Sequence, residues 1–96
     1  MAAGRLSKVD VAVTDLPDQS RYEATSDDEV VGVLEYRREE GVIFLNHAET
    51  AMAHRGKGVA GQLVLKAMRD ASEQGVKVVP VCPYVRDWVS QHPEWG

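Results

Sequence analysis

"HAETAMAHRGKGVAGQLVLKAM", residues 47–68, leaves the end of an apolar strand, crosses a turn carrying Arg55-Gly56-Lys57-Gly58 and enters an amphipathic helix. From about Gly58 to Gln74, the residues Val59, Ala60, Leu63, Val64, Ala67, Met68 and Ala71 recur at steps of three and four, and Gln62, Lys66, Arg69, Asp70 and Glu73 fall on the other side. Gly75 supplies a left-handed stop, after which Lys77-Val78-Val79 resumes as a strand. The return predicts a crossover, right-handed if the two strands are parallel. No Ser, Thr, Asp or Asn precedes the helix to accept one of its free N–H groups. Instead two glycines strip side chains from the turn, and Arg55 and Lys57 add positive charge at the positive end of the helix dipole. Such a turn favours an anion, phosphate above all, although a plain tight turn has the same local composition. It is no Walker loop, since no Lys-Ser/Thr pair ends it. It is a poor dinucleotide fingerprint too, because it comes late and follows meander-like strands.

Working outward toward the N-terminus, Val42 to Glu49 (VIFLNHAE) is apolar on both faces at its start, which predicts a central strand. Arg21 to Ser26 and Glu29 to Arg37 are joined by the turn-like Asp27-Asp28 and form a hairpin. The polar turn Arg38-Glu39-Glu40-Gly41 then leads to the central strand, giving three antiparallel strands in sequence order. Residues 1–18 read as partly irregular: Val9, Val11 and Val13 are candidates for a short strand that Asp15-Leu16-Pro17-Asp18 would interrupt. Toward the C-terminus, Pro83 to His92 has Pro83 early, Tyr84, Val85, Trp88 and Val89 at helical steps, and Pro93 as a stop, so a short helix is expected. The fold class is α+β or α/β: antiparallel strands, then a strand-helix-strand unit, then a short C-terminal helix.

With 96 residues, 44% of them hydrophobic, the chain suits one domain spanning 1–96 and leaves little room for a second. No apolar run approaches the roughly 20 residues of a membrane span, and the first ten residues lack a signal-peptide core, so a cytoplasmic protein without membrane contact is expected. The single cysteine, Cys82, excludes an internal disulfide framework and a Cys-based zinc cluster. His54 and His92 have no plausible metal set around them and are expected at the surface or as caps; no metal is expected. A net charge of -4 with no Lys/Arg block shows no nucleic-acid footprint and fits a basic small molecule or peptide amine better.

The pattern Arg55-x-x-Gly58-x-Ala60, between a long strand and an amphipathic helix followed by a strand, resembles the acyl-CoA-binding signature Q/R-x-x-G-x-G/A of the GNAT superfamily of N-acetyltransferases. The neighbouring motifs resemble a short single-domain branch of it: His47-x-Glu49 ends the strand, RGKG opens the helix, Cys82-Pro83-Tyr84 follows the next strand, and His92-Pro93-Glu94-Trp95 closes the chain. The resemblance covers about Arg21 to Trp95. The chain departs from larger members in lacking the first helices between the early strands and in a truncated unit after Cys82. Those parts normally help hold the acceptor, so the resemblance speaks to acetyl-CoA more than to the acceptor.

The resemblance implies acetyl-CoA or CoA as cofactor, with backbone N–H groups of Arg55, Gly56, Lys57, Gly58, Val59 and Ala60 on its pyrophosphate, and an amine-bearing acceptor, small molecule or peptide. It also implies that the strands on either side of the helix splay apart around the pantetheine arm, which suits Pro80, a residue unable to donate to a ladder. In a regular strand His47 and Glu49 share a face with Ile43 and Leu45 and could share one site; a bulge would separate them. An amine of pKa ≈ 10.4 must lose a proton at pH 7, about 3.4 units or roughly 4.6 kcal/mol, so a base is useful. His47 is equally a satisfied strand-end histidine. Cys82 lies in apolar surroundings, as packing cysteines do, yet an acetyl-cysteine route through it stays open beside direct transfer. Tyr84 either protonates the departing thiolate or packs. Trp88 and Trp95 are expected in the core or closing it. The expected function is acetyl-CoA-dependent N-acetylation of a primary amine by a monomer or weak dimer; the alternative is a CoA-binding or interaction module without productive chemistry.

Overall fold

The second half of the central strand departs from regular alternation, and that departure sets the geometry of everything around it. The computed structural model describes residues 11–95. Five strands run β1 (Ala12–Leu16), β2 (Arg21–Ser26), β3 (Glu29–Glu39), β4 (Val42–Thr50) and β5 (Lys77–Pro80), and each lies beside its neighbour in sequence. The first four are antiparallel, and β5 joins β4 in parallel after helix α1 (Val59–Gln74) has crossed over. Helix α2 (Pro83–Gln91) follows.

The N-terminal region is more regular than expected. Residues Ala12–Leu16 form an edge strand paired along their whole length with β2, and a 3-10 turn at Pro17–Gln19 follows. Val13 packs against the core and Asp15 accepts the Tyr36 hydroxyl hydrogen bond at 2.6 Å, so tertiary contacts override the polar composition of AVTDL. Val9 lies outside the described residues. The turn after β3 is also tighter than expected: Arg38 and Glu39 stay in the ladder, and Glu40-Gly41 makes the connection with Gly41 at φ 73°. The Asp27-Asp28 hairpin has both residues at positive φ, 51° and 65°, which matches the right-handed twist of the flanking strands.

One core lies on one face of the sheet. Tyr22, Ala24, Leu34, Tyr36, Ile43 and Leu45 meet Val59, Leu63, Val64, Ala67, Met68 and Ala71 of α1 and Val85 and Trp88 of α2. The helix stripe inferred from periodicity is the stripe that is buried, and Gly75 ends α1 at φ 71°. Trp88 is in the core and Trp95 packs against it. Two phenols tie the layers together. The Tyr22 hydroxyl donates to Asp70 Oδ2 at 2.8 Å, and Lys66 reaches the other carboxylate oxygen at 3.1 Å. Burial first and the Asp70 hydrogen bond second push the Tyr22 pKa up. The opposite sheet face carries Arg21, Glu23, Val33, Glu35, Arg37 and Phe44, with Arg37 over the Phe44 ring at 4.2 Å, and no helix covers it among the described residues.

Gly32 fixes how closely α1 approaches. A Cβ there would lie 2.7 Å from Val59 Cγ1 and 3.3 Å from the Glu49 carbonyl oxygen, so only glycine lets the first turn of the helix rest on the sheet.

Candidate functional site

Pairing between β4 and β5 runs from Val42↔Lys77 to Leu45↔Pro80 and then stops. The N–H groups of Val81 and Cys82 both donate to the Leu45 carbonyl at 3.0 Å, which turns the chain out of the sheet and into α2. β4 continues to Thr50 with β3 on one side only. The two parallel strands therefore splay, and Pro80 stands where the pairing ends, as its missing N–H requires.

At the same point β4 bulges. The register against β3 passes from Tyr36↔Leu45 to Glu35↔His47, leaving Asn46 outside the ladder. The bulge corrects the expectation for this strand. It precedes His47, so it does not part His47 from Glu49: His47 Nε2 and Glu49 Oε1 are 3.7 Å apart. It turns both away from the face of Ile43 and Leu45, and Ala48, opposite buried Leu34, takes the inward position. Side-chain exposures of 54% for His47 and 66% for Glu49 leave the pair open to an incoming molecule.

The start of α1 forms the facing wall. A 3-10 turn, Met52–His54, leads into Arg55-Gly56-Lys57-Gly58, where Gly56 (φ 79°) and Gly58 (φ 82°) adopt conformations that side chains resist. Gly58 is the N-cap and no side chain caps the helix. The Gly58 carbonyl accepts from Gln62 N–H, so the N–H groups of Val59, Ala60 and Gly61 belong to the first turn and have no intrahelical acceptor. Arg55 Nε donates to the Thr50 carbonyl at 3.3 Å, which holds the guanidinium beside the strand end.

Between these walls lies an open cleft of about 530 Å³. His47, Glu49, Arg55, Gly56, Gly58, Val59, Ala60 and Tyr84 all line it, joined by Ala48, Thr50 and His54. Most of the residues singled out from sequence are thus brought to one place. Lys57 is exposed on the same turn but is not in the wall. Cys82 is 6% exposed, serves as the N-cap residue of α2 and also lies outside the wall. Tyr84 projects from the first turn of α2 toward α1: a Cβ on Gly61 would sit 3.6 Å from its hydroxyl. Burial, and then the neighbouring Cys82, raise the pKa of the Tyr84 phenol, which keeps it a proton donor.

His54 was expected at the surface or as a cap. Its ring instead reaches the cleft wall, and Nδ1 is buried without a hydrogen-bond partner. The orphaned nitrogen lies beside the uncapped start of α1, so unsatisfied polar groups gather at this turn. The other histidine, His92, does cap: it closes α2, donates from Nδ1 to the Trp88 carbonyl at 2.7 Å and stacks on the Trp88 ring at 3.9 Å. Among the described residues no group of three or more His, Cys, Asp or Glu is placed to hold a metal ion, and no helix is long and apolar enough to cross a membrane.

A sequence model of the GCN5-related N-acetyl-transferase family matches residues 21–96. Solved structures share the fold. A ribosomal-protein-alanine N-acetyltransferase from Brucella melitensis biovar Abortus 2308 is 24% identical, with a TM-score of 0.61 over 74% of this chain and 58% of that one. A GCN5-like protein from Staphylococcus aureus, solved by NMR, is 13% identical, with a TM-score of 0.62 over 94% of this chain and 86% of that one. An aminoglycoside N-acetyltransferase solved in complex with CoA is 21% identical, with a TM-score of 0.55 over 79% of this chain and 57% of that one. The chain thus spans less than two thirds of the first and third of these relatives.

Proposed function

Because the chain belongs to the GCN5-related N-acetyl-transferase family, we propose that it transfers an acetyl group from acetyl-CoA to a primary amine, in the cleft between β4, the start of α1 and Tyr84. The observation that carries this reading is the splay itself: β4 loses its partner after Leu45, and the unpaired stretch is framed by an uncapped, glycine-shaped helix start.

The residues fit the cofactor. The first-turn N–H groups of α1, the positive helix end and the Arg55 guanidinium suit a pyrophosphate. The unpaired edge of β4 suits an extended arm carrying amide groups, in the manner of an added strand. When bound, acetyl-CoA supplies an acetyl group on a thioester, ready for attack by an amine.

The chain supplies positioning and protons. His47 takes the proton that the acceptor ammonium must lose, and Glu49, 3.7 Å away, stabilises the imidazolium that results. Asn46, outside the ladder, would offer backbone to polarise the thioester carbonyl. With acetyl-CoA held there, Tyr84 would give its hydroxyl proton to the leaving thiolate, and the second proton of the newly acylated nitrogen would return to the phenolate. The phenol, its pKa raised by burial, holds its proton at neutral pH. Direct transfer is favoured over an acetyl-cysteine because Cys82 is buried outside the cleft wall.

Calorimetric titration with CoA, followed by acetylation of an amine panel, tests the reading. Binding and transfer that persist in Cys82→Ala, with no acetylated protein in intact-mass spectra, are expected. Absence of CoA binding overturns the proposal, and a Cys82-dependent acetyl adduct overturns the direct route.

A further inference from the structure

Large apolar side chains exposed among the described residues are Val30, Met52, Val81 and Tyr84. Three of these border the catalytic region: Tyr84 lines the cleft, and Val30 and Met52, 48% and 78% exposed, line a second groove of about 360 Å³ at the strand ends. Val31, the extra residue in the β2–β3 ladder, is buried there, while its neighbour Val30 stays at the surface. The groove shares Glu49, Thr50 and Arg55 with the cleft, so the two are continuous, and its volume lies in the range of small-molecule sites, about 300–1,000 Å³.

From this groove we infer the acceptor class: a primary monoamine with an apolar arm, its nitrogen beside the His47–Glu49 pair and its arm on Val30, Val33 and Met52. The inference rests on the transferase reading above and adds the substrate chemistry. Glu49 is the groove's one carboxylate and answers one ammonium. Arg55, held by the Thr50 carbonyl, is the groove's other charged side chain and offers no anion to a second ammonium. A polyamine or an aminoglycoside thus finds one carboxylate for several positive charges, while an alkyl or aryl arm gains from covering two exposed apolar side chains.

The test is steady-state acetylation of methylamine, butylamine, hexylamine, 4-phenylbutylamine, spermidine and an aminoglycoside by the full chain, with calorimetric CoA binding measured alongside. kcat/KM is expected to rise about two- to fourfold per methylene buried along the alkyl series, with spermidine and the aminoglycoside below hexylamine. Met52→Asp and Val30→Thr change exposed positions. Each is expected to lower the ratio of kcat/KM for 4-phenylbutylamine over methylamine by about fivefold or more, through KM, with CoA affinity and thermal midpoint retained. A flat alkyl series, preference for the polycations, or an unchanged ratio in both variants, each with CoA still bound and an amine still acetylated, overturns the acceptor assignment and spares the transferase reading. Failure to bind CoA overturns both.

Discussion

One strand contains the two regimes of this molecule. From Val42 to Leu45, β4 is paired on both sides, and Ile43 and Leu45 are almost fully buried. From Asn46 to Thr50 it is paired on one side, and His47 and Glu49 stand more than half exposed. A single bulge at Asn46 and the loss of β5 after Pro80 divide the two. One strand thus holds the core where its backbone and side chains are saturated, and lends itself to the proposed chemistry where both are left open.

The sharpest way to break that division is to mutate each half and read both properties. In the open half, His47→Ala and Glu49→Ala are expected to lower kcat about 10²–10⁴-fold while changing unfolding free energy by no more than about 0.5 kcal/mol. Steady-state kinetics beside urea denaturation would show it, and a collapse of stability would place the pair in the structural regime. In the saturated half, Leu45→Ala should cost about 2–5 kcal/mol in the same denaturation experiment.

Gly32→Ala probes the seam between the halves. With Val59 Cγ1 only 2.7 Å from the new methyl, α1 must lift at its N-terminus, and we expect a loss of about 1–3 kcal/mol together with weaker CoA binding by calorimetry. Stability lost without any change in affinity would show that the helix start tolerates displacement.

The smallest effect concerns pH and belongs to the core beneath the saturated half, where β2 meets α1. Tyr22 ionises less readily folded than unfolded, because burial and the Asp70 carboxylate oppose its charge. The folded state therefore holds its proton where the unfolded state, with the ordinary value of 10.0, releases it. Stability tied to Tyr22 is complete below pH 10 and is lost as pH rises beyond it. Tyr22→Phe should flatten that alkaline loss in thermal melts, and cost about 1–3 kcal/mol at neutral pH through the orphaned Asp70 acceptor.

Much of this was legible in the sequence, for particular reasons. The three- and four-residue steps from Val59 to Ala71 made α1 unambiguous, and Gly75 marked its end. Glycines at 56 and 58 without a capping side chain pointed to the turn that the structure places in the cleft wall. The sequence left a regular and a bulged strand both open, and the spacing of inward residues, two from Ile43 to Leu45 but three from Leu45 to Ala48, is the signal that places the bulge before His47, where it keeps His47 and Glu49 together. β1 was obscured because AVTDL carries two polar residues and runs into a proline, and its partner across the ladder is invisible to local propensity. His54 looked like a surface residue because nothing in a local window tells that its Nδ1 will be covered.

The order of strands, each beside its neighbour in sequence, also governs the time course of folding. Asp27-Asp28 and Glu40-Gly41 close their hairpins over two residues, so β2, β3 and β4 can zip by short, entropically cheap steps. β5 has no such shortcut: the whole of α1 lies in the connection that brings it beside β4. The cleft, walled by β4, the start of α1 and Tyr84, is therefore closed by longer loops than the hairpins of the antiparallel sheet.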